Sequence, residues 1–170
     1  SFARWANQNA RGAHRLFLVM THSWGWKGII QDYTIPGKPD TDTMMPLREF
    51  AAAIAESGMK PDLVFFDSCV LGNAESLSEF ADLAPSMIVS QRETPFSGFP
   101  YEELMQLLAS RELGPREVAQ AIPERYVGAY TRGGSLLAKE GEYDVVTAAA
   151  VDTAKWRVFE KHYKKFVSKL

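Results

Sequence analysis

Cys69 is the only cysteine in 170 residues, and it shares the chain with three histidines, His14, His22 and His162. A thiol is a weak nucleophile until it loses its proton, and a nearby imidazole can take that proton. One cysteine builds no internal disulfide framework. Cys69 is therefore either a buried, inert thiol or a reactive one. A zinc site wants three or four ligands. His14 is eight residues from His22, ~26 Å in extended chain, so no metal site is expected. Ser68 lacks the Gly-x-Ser-x-Gly elbow of a hydrolase nucleophile. The pair to weigh is His22 with Cys69.

Two apolar runs must position that pair. Leu16 to Met20 reads as a strand buried on both faces, and Leu63 to Phe66 as a second. Pro46 opens a helix between them, with Leu47, Phe50, Ala51, Ile54 and Ala55 on one face and Gly58 at its end. Strands joined by a helix are parallel neighbours with a right-handed crossover. In such sheets chemistry collects beyond the carboxyl ends of the strands. His22 follows the first run after Thr21, and Cys69 follows the second after Asp67 and Ser68. Both side chains therefore leave the sheet at one edge. A helix starting near Asn73 would favour the thiolate through its dipole. Backbone amides at Ser23 and Cys69 are placed to hold a developing oxyanion. Position alone leaves two readings open: a catalytic dyad, or a loop histidine beside a core thiol.

The remaining elements complete an α/β pattern. A helix ends near Ala10, and a loop rich in Gly, Pro, Asp and Thr runs from Ser23 to about Met45. A third strand covers Met87 to Val89, and helices cover Tyr101 to Ala109 and Pro115 to Tyr130, the latter strained by Pro123. A last strand is expected over Tyr143 to Ala150. Asp152 or Thr153 then caps a helix whose inner face is Trp156, Phe159, Tyr163, Phe166 and Leu170. The whole of residues 1–170 reads as one domain. With 46% hydrophobic and 24% charged residues and a net charge of −2, nucleic acid is not an expected partner. No apolar run reaches the ~20 residues of a membrane helix, and the first residues lack the apolar core of a signal peptide.

Local sequence adds a resemblance. Leu16-Phe-Leu-Val-Met-Thr-His-Ser-Trp-Gly-Trp26 resembles the clostripain family's apolar strand followed by His-Gly-x-Gly-Trp. Leu63-Val-Phe-Phe-Asp-Ser-Cys-Val-Leu-Gly-Asn-Ala-Glu75 is similar to its Asp-Ala-Cys-Leu-Met-Gly block ending in Glu. Ser90 to Tyr101, closing on Gly98-Phe-Pro-Tyr101, resembles the segment Ser-Glu-Glu to Gly-Trp-Pro-Tyr. Thr147 to Asp152 resembles a later Ser-Ala-x-Asp stretch. The four blocks run in family order.

The resemblance implies a caspase-like α/β/α sandwich with a mainly parallel sheet, here lacking its first strand, as in an incomplete or processed portion of the domain. It implies a cysteine endopeptidase cleaving after Arg or Lys, with Cys69 as nucleophile and His22 as general base. It assigns Asp67 and Ser90 to substrate binding, and Lys27 and Lys38 become candidates for self-cleavage. Lys38 precedes Pro39, which makes Lys27 the preferred site. No cofactor is required, although the family resemblance allows calcium. The partner is a peptide or protein substrate, and a secreted or cell-envelope location is suggested. Three positions depart from the pattern: Ser23 stands where the family usually has Gly, and Gln91 and Arg92 stand where it has acids. They keep open a second function, a catalytically weakened caspase-like domain that binds a peptide or protein partner.

Overall fold

The computed structural model describes residues 2–38, 43–110, 112–136 and 145–169. Its centre is a four-stranded sheet in the order β1-β4-β5-β6, formed by β1 (Leu16–Met20), β4 (Leu63–Asp67), β5 (Ser86–Val89) and β6 (Ala149–Asp152). The first three strands are parallel, and β6 is antiparallel to β5. A small separate ribbon pairs β2 (Ile29–Gln31) with β3 (Met44–Met45).

The central strand explains the layering. Successive side chains of a strand point to opposite faces. Val64 and Phe66 face one core, with Phe50 and Ile54 of α2 (Leu47–Glu56) and Leu77 and Phe80 of α3 (Ala74–Phe80). Ala3 of α1 (Phe2–Asn9) and Trp156 of α6 (Thr153–Val167) pack on the same side. Leu63 and Phe65 face the other core, with Leu104 and Leu107 of α4 (Tyr101–Ala109) and Val118, Ile122 and Tyr126 of α5 (Pro115–Ala129). Every residue of β4 is buried, which is why its sequence is continuous rather than alternating. Ring contacts anchor both layers: Phe66 stacks on Phe80 at 4.8 Å, and Phe65 meets Phe99 edge-on at 4.5 Å. Burying one such ring contributes about 1.5–3 kcal/mol.

The structure changes four expectations. The stretch from Ser23 to Met45 is not all loop. It carries a 3-10 turn at Gly25–Lys27 and the β2–β3 ribbon. The last strand lies later than expected, at Ala149–Asp152, and residues 145–148 are not strand. Tyr143 falls outside the described residues. β1 is not buried on both faces, since Leu16, Phe17 and Leu18 are half-buried and Met20 is exposed. The expected inner face of α6 packs only at Trp156. Phe159, Tyr163 and Phe166 are 53%, 52% and 60% exposed, and Leu170 lies outside the described residues. The α6 cap is Asp152, whose side chain accepts from the Lys155 amide.

Candidate active site

The β1–β4 register pairs Met20 with Asp67. Two residues further along each parallel strand come His22 and Cys69, so both leave the sheet at the same carboxyl edge. The ladder is extended past the strands. The Thr21 amide donates to the Asp67 carbonyl at 3.2 Å, and the Ser68 hydroxyl donates to the Thr21 carbonyl at 2.6 Å. The buried Ser23 hydroxyl donates to the Cys69 carbonyl. Three successive contacts thus tie the histidine loop to the cysteine loop.

His22 is exposed and Cys69 half-buried. The sulfur accepts a hydrogen bond from the Thr94 amide at 3.3 Å. The next residue, Val70, has φ 48, a left-handed conformation that β-branched residues avoid. It is held there from both sides. Its amide donates to the Arg92 carbonyl at 3.0 Å, and its carbonyl accepts from the Asn73 side chain at 2.7 Å. Gly25, itself at φ 61, passes over this turn where a Cβ would lie 3.2 Å from the Val70 carbonyl oxygen. Backbone strain of this kind persists only where the surroundings over-determine it.

The expected dipole contribution is altered. Helix α3 begins at Ala74, and the Asn73 side chain already accepts from the Ser76 amide. Four residues therefore separate Cys69 from the helix start, and the first turn is capped by its own neighbour. Ser23 bridges Ile29 between two flanking bonds, Ile30 to His22 and Trp24 to Gly28. In that antiparallel pattern the Ser23 amide turns away from the ribbon.

Asp67 ends β4 and is 7% exposed. Its carboxylate accepts from the Tyr101 hydroxyl and the Phe99 amide. Gly98 crosses directly above at φ 63, and a Cβ there would lie 2.6 Å from Asp67 Oδ2. Only glycine meets both conditions at once. Burial pushes the Asp67 carboxyl above its ordinary range, against the opposing effect of the Tyr101 and Phe99 bonds. Among the described residues no Lys, Arg or His forms an ion pair with it. A buried carboxylate without a cation is costly. Ser90 is fully buried, and its hydroxyl donates to the Arg92 carbonyl and approaches Thr147 Oγ1 at 3.3 Å. Thr147 also accepts from the Gln91 amide. Ser90 thus shapes the loop from Ser90 to Thr94 that reaches the sulfur.

Sequence reasoning assigns no role to Tyr101 or Thr94. Tyr101 is visible in the Gly98-Phe-Pro-Tyr101 block, but nothing local shows that its hydroxyl reaches back 34 residues to Asp67. Thr94 acts through its amide, which no side-chain pattern reports.

The clostripain family model matches residues 6–170. The chain belongs to the clostripain family. Solved structures of the family share the fold at low identity. A secreted C11 cysteine protease from Bacteroides thetaiotaomicron, iotapain, aligns with TM-score 0.65 and 16% identity over 91% of this chain and 43% of its own. An inactive zymogen C11 protease from Parabacteroides distasonis aligns with TM-score 0.65 and 17% identity over 92% of this chain and 39% of its own. A clostripain from Bacteroides thetaiotaomicron, solved with a peptide inhibitor, gives TM-score 0.54 and 20% identity over 72% of this chain and 49% of its own. The chain spans less than half the length of these proteins. A search of curated sequences found no significant match. The clostripain-family fold therefore brings His22, Asp67 and Cys69 to one sheet edge, with Lys38 exposed on the β2–β3 connection and Lys27 in the 3-10 turn.

Proposed function

We propose that this chain carries the catalytic centre of a cysteine endopeptidase that cuts peptide bonds after Arg or Lys. The observation behind the proposal is the shared edge: a histidine and the only cysteine emerge from adjacent parallel strands in matching register. In the proposed reaction His22 takes the Cys69 proton, and the thiolate attacks the scissile carbonyl. The Ser23 and Cys69 amides receive the negative oxygen. The imidazolium then protonates the departing amine, leaving an acyl group on sulfur, which water hydrolyses. Asp67 supplies the negative charge for the basic side chain, and the absence of an internal cation beside it among the described residues supports that role. The relatives that were solved with peptide inhibitors, and the description of iotapain as secreted, support a peptide substrate and an extracytoplasmic location for this chain as well.

Self-cleavage between the histidine and the cysteine belongs to the same proposal. Lys27 closes a turn in which its amide donates to the Trp24 carbonyl, and Gly28 beyond it is buried. A peptide bond in so tight a turn is a poor substrate. Lys38 lies on exposed chain, where access favours it even though a proline follows.

Two observations favour the second reading, a peptide-binding domain without turnover. The resting sulfur is bonded to the Thr94 amide, and Asp67 is enclosed. A thiol-reactive peptide probe separates the two. Incubated with the full-length protein, probes carrying Arg or Lys before the warhead are expected to label Cys69, and a Leu probe to label it far less. Intact mass of the same sample reports both the adduct and any cut. No adduct with any probe would leave the binding reading in place.

A further inference from the structure

We propose that Tyr101 is a positioning residue whose hydroxyl holds the Asp67 carboxylate in place and in its charged form, and so sets how well a basic side chain is accepted. The proposal rests on the reading of Asp67 as the acid that meets Arg or Lys.

The geometry is built from three elements. Tyr101 is the first residue of α4, and its hydroxyl donates to Asp67 Oδ2. The preceding loop delivers the Phe99 amide to the same carboxylate. That loop is pinned from the far side, because the Tyr130 hydroxyl, at the end of α5, donates to the Gly98 carbonyl at 2.8 Å. Gly98 itself lies against Oδ2, so this oxygen cannot swing away without moving the loop. Oδ2 is thus held between the Tyr101 hydroxyl and Gly98, and the whole carboxylate is oriented by these contacts and by the Phe99 amide.

The charge balance gives Tyr101 its leverage. The titratable groups that interact with Asp67 are Tyr101 from α4 and Tyr126 from α5. Neither is a cation. Burial favours the neutral acid, and the Tyr101 and Phe99 bonds are what oppose it. Burial and the neighbouring carboxylate push the Tyr101 phenol upward, so it stays a donor at any working pH. Removing that hydroxyl raises the Asp67 pKa further. At a given pH fewer molecules then carry the charge that attracts Arg or Lys, and the deficit grows as pH falls.

The test compares full-length wild type, Tyr101→Phe and Asp67→Asn on matched Arg, Lys and Leu peptides from about pH 5 to about pH 9. Tyr101→Phe keeps the ring. It is expected to lose about tenfold in kcat/KM on Arg and Lys at the acid end of that range, the scale of one hydrogen bond to a charged group. The loss should sit mainly in KM, narrow toward pH 9 and spare the Leu peptide. The acid limb of the profile for basic peptides should move up. Equal losses on all three peptides, a loss that does not vary with pH, or no loss would overturn the proposal. Should Tyr101→Phe melt early, fluorotyrosine placed at position 101 keeps both ring and bond. Its stronger donor should move the acid limb down, and an unmoved limb again overturns the proposal. If Asp67→Asn discriminates between basic and neutral peptides while the Tyr101 variants do not, the positioning role alone fails. If Asp67→Asn does not discriminate, the basic-pocket reading fails and takes this one with it.

Discussion

Cys69→Ala is expected to abolish turnover of every peptide, a loss on the order of a million-fold in kcat. The reason is chemical. An alanine has no atom that can carry the acyl group. The neighbouring Ser68 cannot take over, because it is 2% exposed and its hydroxyl is committed to the Thr21 carbonyl. The fold should barely notice the change. The sulfur is half-buried and accepts a hydrogen bond from the Thr94 amide. Removing a single neutral bond of this kind costs about 0.5–1.5 kcal/mol, so the variant should melt within a few degrees of wild type. Steady-state turnover beside a thermal melt checks both halves. A well-folded Cys69→Ala with wild-type activity ends the peptidase reading.

Asp67→Asn should separate the pocket from the chemistry. Taking the charge out of a partly buried ion pair costs on the order of 2 to 5 kcal/mol, so kcat/KM on Arg and Lys peptides should fall by more than tenfold, with a Leu peptide much less affected. Equal losses on all three would show that the carboxylate supports the loop instead. The same variant has a second expected signature in stability. Burial raises the folded-state pKa of Asp67. Whatever stability the neutral acid lends is present below the unfolded pKa and is lost as pH rises through the folded value. Above that value wild type carries a buried charge and Asn does not. Asp67→Asn should therefore melt higher than wild type at neutral pH, with the gap closing in acid. A gain in stability that comes with a loss of specificity is the usual trade at functional sites.

The parts of this fold that are readable from sequence are those where burial leaves a signature. Leu63 to Phe66 stands out because β4 is covered on both faces, and the pairing of β1 with β4 follows from the helix between them. The parts that are not readable depend on partners. Ala149–Asp152 carries little strand preference of its own and becomes β6 by pairing with Ser86–Val89. The β2–β3 ribbon has three residues on one side and two on the other, with a shifted register, too short for any period to show. The α6 stripe illustrates the opposite failure. Helical spacing correctly groups Trp156, Phe159 and Tyr163, whose successive rings lie 5.3 and 6.0 Å apart. Spacing does not say whether anything covers them. At the site, His22 and Cys69 can be placed together from topology, whereas the Tyr101 and Thr94 bonds depend on the path of a loop.

The connection between β1 and β4 also governs how the molecule would respond to a break. His22 and Cys69 are 47 residues apart in the chain, yet their strands are joined by a five-residue ladder and by the packing of Phe50 against Phe66 and Phe80. A cut on the exposed chain near Lys38 would sever covalent continuity and leave that ladder and that core untouched. The two pieces would travel as one particle. Once unfolded, they would separate, and regaining the site would require a collision between two chains in place of closure of a loop. Refolding of the cut form would then slow with dilution, while the uncut chain would refold at a rate independent of concentration.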